Sequence, residues 1–297
     1  MIKILPVYKT YFIVLLTMTA AVQAFAQYTN QQAPTVKPSG GITLNAQLVK
    51  TGLYLFSSEG SNSLLRLSQR GSILVDGQPL GACDALRARV RKISDQPVIA
   101  LILTDQDESH TACNAKFREA QAQIVAQENL KHNLTAGSPS AASVAAPTFT
   151  YDQEYKLRLG LVEAQLFHFG NAHTNGDTVV YFPNLKAVAV GDLFAPTPDP
   201  DYSNGGSLVG WGPVLAQVLK LDFDVVVPGS GPPVSRADLE GFKIKIDTLV
   251  SRASGLVEKG VPKDQLMAQL KTNDLGWQLN FTGDKLDGFY AELSRRK

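Results

Sequence analysis

Twice along this chain, a run of short strand-patterned segments gives way to helices, and this doubled order restricts the fold more than any other feature. The first block holds apolar runs at 42–49, 53–56, 63–67 and 72–75, parted by turns at Gly52, Gly60 and Gly71. Short runs between glycine turns read as an antiparallel meander. Asp84 is placed to cap a helix over 84–93, with Leu86, Val90 and Ile93 on one face. Pro97 closes the next loop, 98–103 reads as a buried strand, and a second helix is expected from just after His110 to about residue 130. The Ala, Ser and Pro-rich stretch 135–147 reads as loop.

The second block repeats the scheme with strands at 155–159, 162–169, 178–181, 187–190 and 225–227, and a helix at 208–219. Helices at 236–256, 263–270 and 286–293 complete the chain. A sheet buries one face against another layer, so two strand blocks with helices appended imply two packed sheets with helices outside, an α/β (α+β) architecture.

The first residues stand apart from this domain. Lys3 and Lys9 make a basic start, 11–21 is uncharged and apolar, and Ala24-Phe25-Ala26 is a small-residue cleavage pattern. That is the pattern of a signal peptide over 1–26, so a periplasmic or secreted protein is expected, with no membrane span after cleavage. Residues 27–41 read as a flexible tether, leaving 42–297 as the domain, its C-terminal helices beginning near 235. Cleavage removes Lys3, Lys9 and no acid, leaving a net charge of −1. Such a balance offers no electrostatic attraction for nucleic acid. Cys83 and Cys113 are the two cysteines. An oxidising compartment would allow a bridge between them, and two buried small apolar residues are the alternative.

Chemistry concentrates after the strand 98–103, in Thr104-Asp-Gln-Asp-Glu-Ser-His110. Further motifs are Gly60-Ser-Asn62, Leu74-Val-Asp76-Gly77, Gly170-Asn-Ala-His173-Thr-Asn-Gly-Asp-Thr-Val-Val-Tyr-Phe-Pro183, Val188-Ala-Val-Gly-Asp192-Leu-Phe and Val227-Pro-Gly-Ser-Gly-Pro-Pro233. In this order they resemble the metallo-β-lactamase fold superfamily over about residues 42–250. The resemblance implies a four-layer αββα sandwich and a dinuclear zinc site. Its first metal would fall on Asp105, Asp107 and His173, where the family has three histidines. Its second would fall on Ser109, His110 and Ser230, where the family has Asp, His and His, with Asp192 as the bridging carboxylate.

Ser109 and Ser230 are therefore degenerate ligand positions. They leave His110 and Asp192 for the second metal, too few for tight zinc binding. The first position exchanges imidazoles for carboxylates. Asp105, Asp107, His173 and Asp192 make an oxygen-rich set, with Glu108 close by, that suits one divalent cation (Zn, Mn, Mg or Ca) better than a zinc pair. The contrasting reading is an acidic loop pointing into solvent. Asn204, in the loop after Asp192, is a candidate substrate-binding residue. His168 and His132 read as rim or solvated histidines, and Asp76 and Asp177 as groups that orient the loops. One branch of the family has a substrate-holding Lys three residues after the bridging ligand, where this chain has Ala195, which disfavours β-lactam hydrolysis.

Two functions follow. One is a divergent, exported member with weak or no hydrolase activity, a binding module for a small molecule or protein that uses the old cleft. The other is a single-metal hydrolase of an ester, amide or phosphoester built on Asp105, Asp107, His173 and Asp192. Neither assigns a catalytic residue or names the ligand.

Overall fold

The computed structural model describes residues 42–58, 60–135 and 144–295. The expected signal peptide and tether, and residues 136–143 of the Ala/Ser-rich loop, lie outside them. Seven strands form the first sheet in chain order: β1 (Asn45–Lys50), β2 (Leu53–Ser58), β3 (Ser61–Ser68), β4 (Gly71–Val75), β5 (Val98–Ile102), β6 (Gln123–Gln127) and β7 (Phe149–Tyr151). The meander β1–β4 is antiparallel, and β4 to β7 pair in parallel. Helix α1 (Cys83–Ile93), the short helices α2 (Glu108–Thr111) and α3 (Asn114–Glu119), and α4 (Glu128–Thr135) make the parallel crossovers.

The second sheet runs β13-β12-β11-β10-β9-β8, from β8 (Glu154–Leu159), β9 (Val162–Phe167), β10 (Val179–Phe182), β11 (Ala187–Gly191), β12 (Val225–Pro228) and β13 (Val234–Ser235). Its one parallel pair, β11 with β12, is joined by α5 (Leu208–Val218). Helices α6 (Arg236–Glu258), α7 (Lys263–Gln269) and α8 (Gly283–Ser294) follow.

Alternation along the strands explains the layers, because successive side chains point to opposite faces of a sheet. Ile73, Val75, Ala100 and Ile102 meet Ala164, Leu166, Val180 and Ala189 between the sheets. Their neighbours Leu74, Leu101 and Leu103 face outward onto Leu86, Val90, Phe117 and Leu130 of the first helical layer. On the other side Val188 and Val190 pack under Trp211, Leu215, Phe242 and Leu249. Three apolar clusters thus separate four layers, the αββα order expected.

Two local expectations fail. No continuous helix runs from His110 to residue 130; α2 and α3 are brief and β6 intervenes. Strand β6 is buried on both faces, with Val125 in the inter-sheet cluster and Ile124 and Ala126 in the outer one. A strand covered on both sides carries no polar alternation, so tertiary burial outweighs the helix propensity of this Ala- and Gln-rich stretch. Asp84 does not cap α1. It lies in the first turn, after the N-cap Ala82, where its charge still complements the helix dipole.

Candidate metal centre

The chemistry-bearing loops gather where the parallel strands end. Asp76 follows β4, Thr104 and Asp105 follow β5, Asp192 follows β11 and Gly229 follows β12. Backbone bonds tie the two sheets here: Asn62 N–H donates to Gly229 O (2.8 Å) and Thr178 N–H to Thr104 O (2.7 Å). Asn62 also donates its side-chain amide to Pro228 O and Gly231 O. Gly191 has φ +53°, and a Cβ there would lie 2.4 Å from Thr104 Oγ1, so glycine serves both conformation and clearance.

Asp105 is 1% exposed, and its Oδ1 accepts the Asp107 N–H at 2.9 Å. That turn points the carboxylate inward and excludes the solvated-loop reading for Asp105. Glu108 does face solvent and belongs to neither cluster described next. Helix α2 starts just after Asp107 and places His110 in the interior.

Asp105, Asp107 and His173 bring one ligand atom each within 4.8 Å of one another, and so do Asp105, His110 and Asp192. Asp105 is common to both sets. Dividing the ligands by sequence left His110 and Asp192 as a pair; the fold adds Asp105 to them. It sets Asp192 apart from Asp107 and His173, rather than completing a four-residue set with them.

Each imidazole is aimed from behind. His173 Nδ1 meets Asp199 O at 2.8 Å, which fixes that nitrogen as the donor and turns Nε2 toward the carboxylates. Nε2 is buried without a hydrogen bond, 3.5 Å from Asp107 Oδ2. Lys285 of α8 pairs with the Asp199 side chain and braces that loop. His110 Nε2 lies 3.5 Å from Asp192 Oδ1 and 3.8 Å from Asp105 Oδ2. Its Nδ1 lies 3.3 Å from Asp76 Oδ2, an ion-pair distance without hydrogen-bond alignment. Asp76, at φ 58°, accepts the Thr104 N–H and Oγ–H, both at 2.7 Å. Asp177 similarly holds Thr174 through its backbone N–H and hydroxyl.

These residues fit a divalent cation. Ligand atoms about 2.0–2.2 Å from one tetrahedral ion stand roughly 3.3–3.6 Å apart, close to the spacings here. A buried Nε2 that faces carboxylates and makes no hydrogen bond can exchange its proton for a cation. Asp105 and His173 with Asp107, or Asp105 and His110 with Asp192, would hold the ion. Asp107 and Asp192 have side chains 40% and 25% exposed, so the open side of the centre is theirs.

Of the serines, Ser109 takes part through its backbone O, which accepts the Ser61 hydroxyl, and Ser230 borders a neighbouring cavity. Asn204 donates its amide to Asp201 Oδ2 at 2.6 Å and stabilises its own loop. His168 sits just past β9 against Asp177 O, and His132 is exposed. The double membership of Asp105 had no sequence signal.

Burial drives the Asp105 carboxyl up to about 8, helped by Asp192 and Asp107 and opposed by His110 and His173. Burial also raises Asp177, to about 6. Desolvation pulls both imidazoles down, yet the surrounding carboxylates outweigh it and hold His110 and His173 well above the ordinary range. Burial would raise Asp192, but His110 and His173 keep it low. Groups raised on folding stabilise the fold below their unfolded values, and that stability is lost as pH rises through the folded ones. The chelated protein should therefore show a Tm that falls between about pH 4 and 8, with Asp192 contributing in the opposite sense. Saturating divalent cation, which displaces those protons, should flatten the decline. A chelated Tm that rises over this window contradicts the assignment.

Asp76 acts through His110, so Asp76→Asn should weaken metal affinity about tenfold while leaving the chain folded. Equilibrium dialysis with Zn²⁺ checks this; unchanged affinity counts against an orienting role.

The family model of the metallo-beta-lactamase superfamily matches residues 59–230. The chain is 27% identical over 196 residues to the 2,4-dinitroanisole O-demethylase subunit alpha of Nocardioides sp., a match covering 65% of this chain. It spans 60% of that curated relative's length. Among solved structures, a metallo-beta-lactamase from Pontibacter korlensis is similar at TM-score 0.57 and 17% identity, covering 72% of this chain and 98% of its own. The DIM-1 metallo-beta-lactamase is similar at TM-score 0.59 and 21% identity, covering 72% and 99%. At these identities the structural likeness concerns the fold.

Proposed function

The chain belongs to the metallo-beta-lactamase superfamily, and on that premise we propose that it is an exported, divergent hydrolase that uses one divalent cation in a carboxylate-rich centre. The observation that carries this reading is the buried Nε2 of His173, which makes no hydrogen bond and faces Asp105 and Asp107. A cation held there would activate water and polarise the scissile bond. Asp105, His110 and His173 position the centre from the interior. Asp107 and Asp192, on the open side, meet the substrate and can accept a proton as the bond breaks. The bond is an ester, amide or phosphoester. The relative named as an O-demethylase supports a bond-cleaving use of this scaffold and adds an aryl methyl ether to the bonds worth testing.

Export is supported by the Cys83–Cys113 bridge, since such bonds persist in oxidising compartments. Together with the cleavage pattern it supports a mature protein in the periplasm or outside the cell. A second reading, a binding module without turnover, draws on Ser109 and Ser230. A hydroxyl at the first handles a proton poorly, and one at the second is a weak ligand.

Turnover separates the two. The mature chain loaded with Zn²⁺ or Mn²⁺ should hydrolyse 4-nitrophenyl acetate or bis(4-nitrophenyl) phosphate, and lose that activity in His173→Ala and Asp192→Ala. A loaded protein without turnover on any of the four bond types favours the binding module.

A further inference from the structure

Beside the metal centre, a cavity of about 450 Å³ lies between the loop after Asp192, the loop after β12 and helix α6. Its depth is aromatic: Phe194 stands 5.0 Å from Phe242, and Phe242 5.6 Å from Trp277, edge-on. Trp277 belongs to the segment after α7, beyond the stretch matched by the family model, and its indole N–H donates to Pro196 O at 3.0 Å. The C-terminal segment thus builds one wall against the loop that carries Asp192.

The other wall is shared with the metal centre. Ser230 lines the cavity, and its neighbour Gly229 abuts the ligands: a Cβ there would stand 2.2 Å from Asp192 Oδ1 and 2.8 Å from His110 Cε1. At 230, where the resemblance implies an imidazole, the small serine side chain leaves that part of the cavity wall less filled. Charge is one-sided. Asp238 is turned into the start of α6, where its Oδ2 accepts the Ser235 N–H and hydroxyl. Lys245 reaches over the Trp277 ring at 5.7 Å and has no carboxylate partner among the described residues.

We propose that this cavity is the substrate-recognition pocket, taking an aromatic ring seated on Phe194, Phe242 and Trp277 whose anionic substituent pairs with Lys245. The volume suits one substituted ring, and pockets of this kind combine an apolar lining with few oriented polar groups. Resting on the hydrolase reading, the proposal narrows its substrates to aryl esters, amides or phosphoesters that bear a negative charge on the ring.

Binding of 4-nitrobenzoate, a nitroaromatic that quenches indole emission, tests it. The probe is titrated into the full mature chain in a Trp211→Phe background with chelator present, so that Trp277 is the reporter and no cation can hold the carboxylate. Saturable quenching is expected, about tenfold weaker for Lys245→Met, which keeps the aliphatic stem over the ring, and about tenfold weaker for 4-nitrobenzylamine than for 4-nitrobenzoate. Ser230→His, which adds an imidazole to the cavity wall, should also weaken binding. Equal affinity of Lys245→Met and the parent chain, or of cationic and anionic probes, overturns the proposal. Because this readout needs neither metal nor turnover, a failed hydrolase reading leaves its result intact, and the reverse holds too.

Discussion

Asp105→Asn is expected to abolish divalent-metal binding, lowering affinity by at least about a hundredfold, whichever of the two ligand sets the ion prefers. The expectation follows from Asp105 being the member common to both sets. Asp107→Asn and Asp192→Asn each damage one set, so at least one of them should retain measurable binding. Asparagine keeps the Oδ1 that accepts the Asp107 N–H, so the turn into α2 survives. The substitution should even raise the Tm of the chelated protein near pH 8, because it removes a carboxyl that burial makes costly to ionise. Metal titration and thermal unfolding on the same sample check both halves. Retained affinity in Asp105→Asn would show that the two sets act independently of it.

The second large effect concerns the disulfide. Cys83 and Cys113 close a loop with a sequence separation of 30, and their Cα atoms are 5.2 Å apart. For a loop of that length, the entropy removed from the unfolded chain corresponds to about 3–4 kcal/mol. The Cys83→Ala/Cys113→Ala variant should lose about that much in urea unfolding at neutral pH. The site should suffer with it. Cys113 lies three residues beyond His110, and Gly77, next to Asp76, donates its N–H to His110 O at 2.7 Å. The bridge therefore clamps the segment that carries His110 to the loop that carries Asp76. Metal affinity of the double variant should fall with stability. A loss below about 1 kcal/mol would mean that packing of the outer helical layer already fixes this segment.

The layers were legible because their strands alternate, or run apolar between glycine turns. Ile73, Leu74 and Val75 divide between two cores as a period of two requires. Strand β6 was not legible, since burial on both faces removes that period. The family resemblance pointed to His110, His173 and Asp192, and the structure brings all three to one end of the sheets. Asp105 posed a different difficulty. Its position suggested a ligand, but membership in two clusters depends on where His110 and His173 arrive from separate loops. The cysteine pair stayed open for a similar reason, because bridging depends on a Cα distance that no spacing supplies.

Metal content is the most direct test of the central claim, a single carboxylate-rich cation centre. The chain from residue 27 onward, stripped by chelator and dialysed separately against Zn²⁺ and Mn²⁺, should retain about one equivalent of metal per chain, lost in Asp105→Asn. Less than about a tenth of an equivalent of either ion, or full loading of the Asp105→Asn protein, would contradict it.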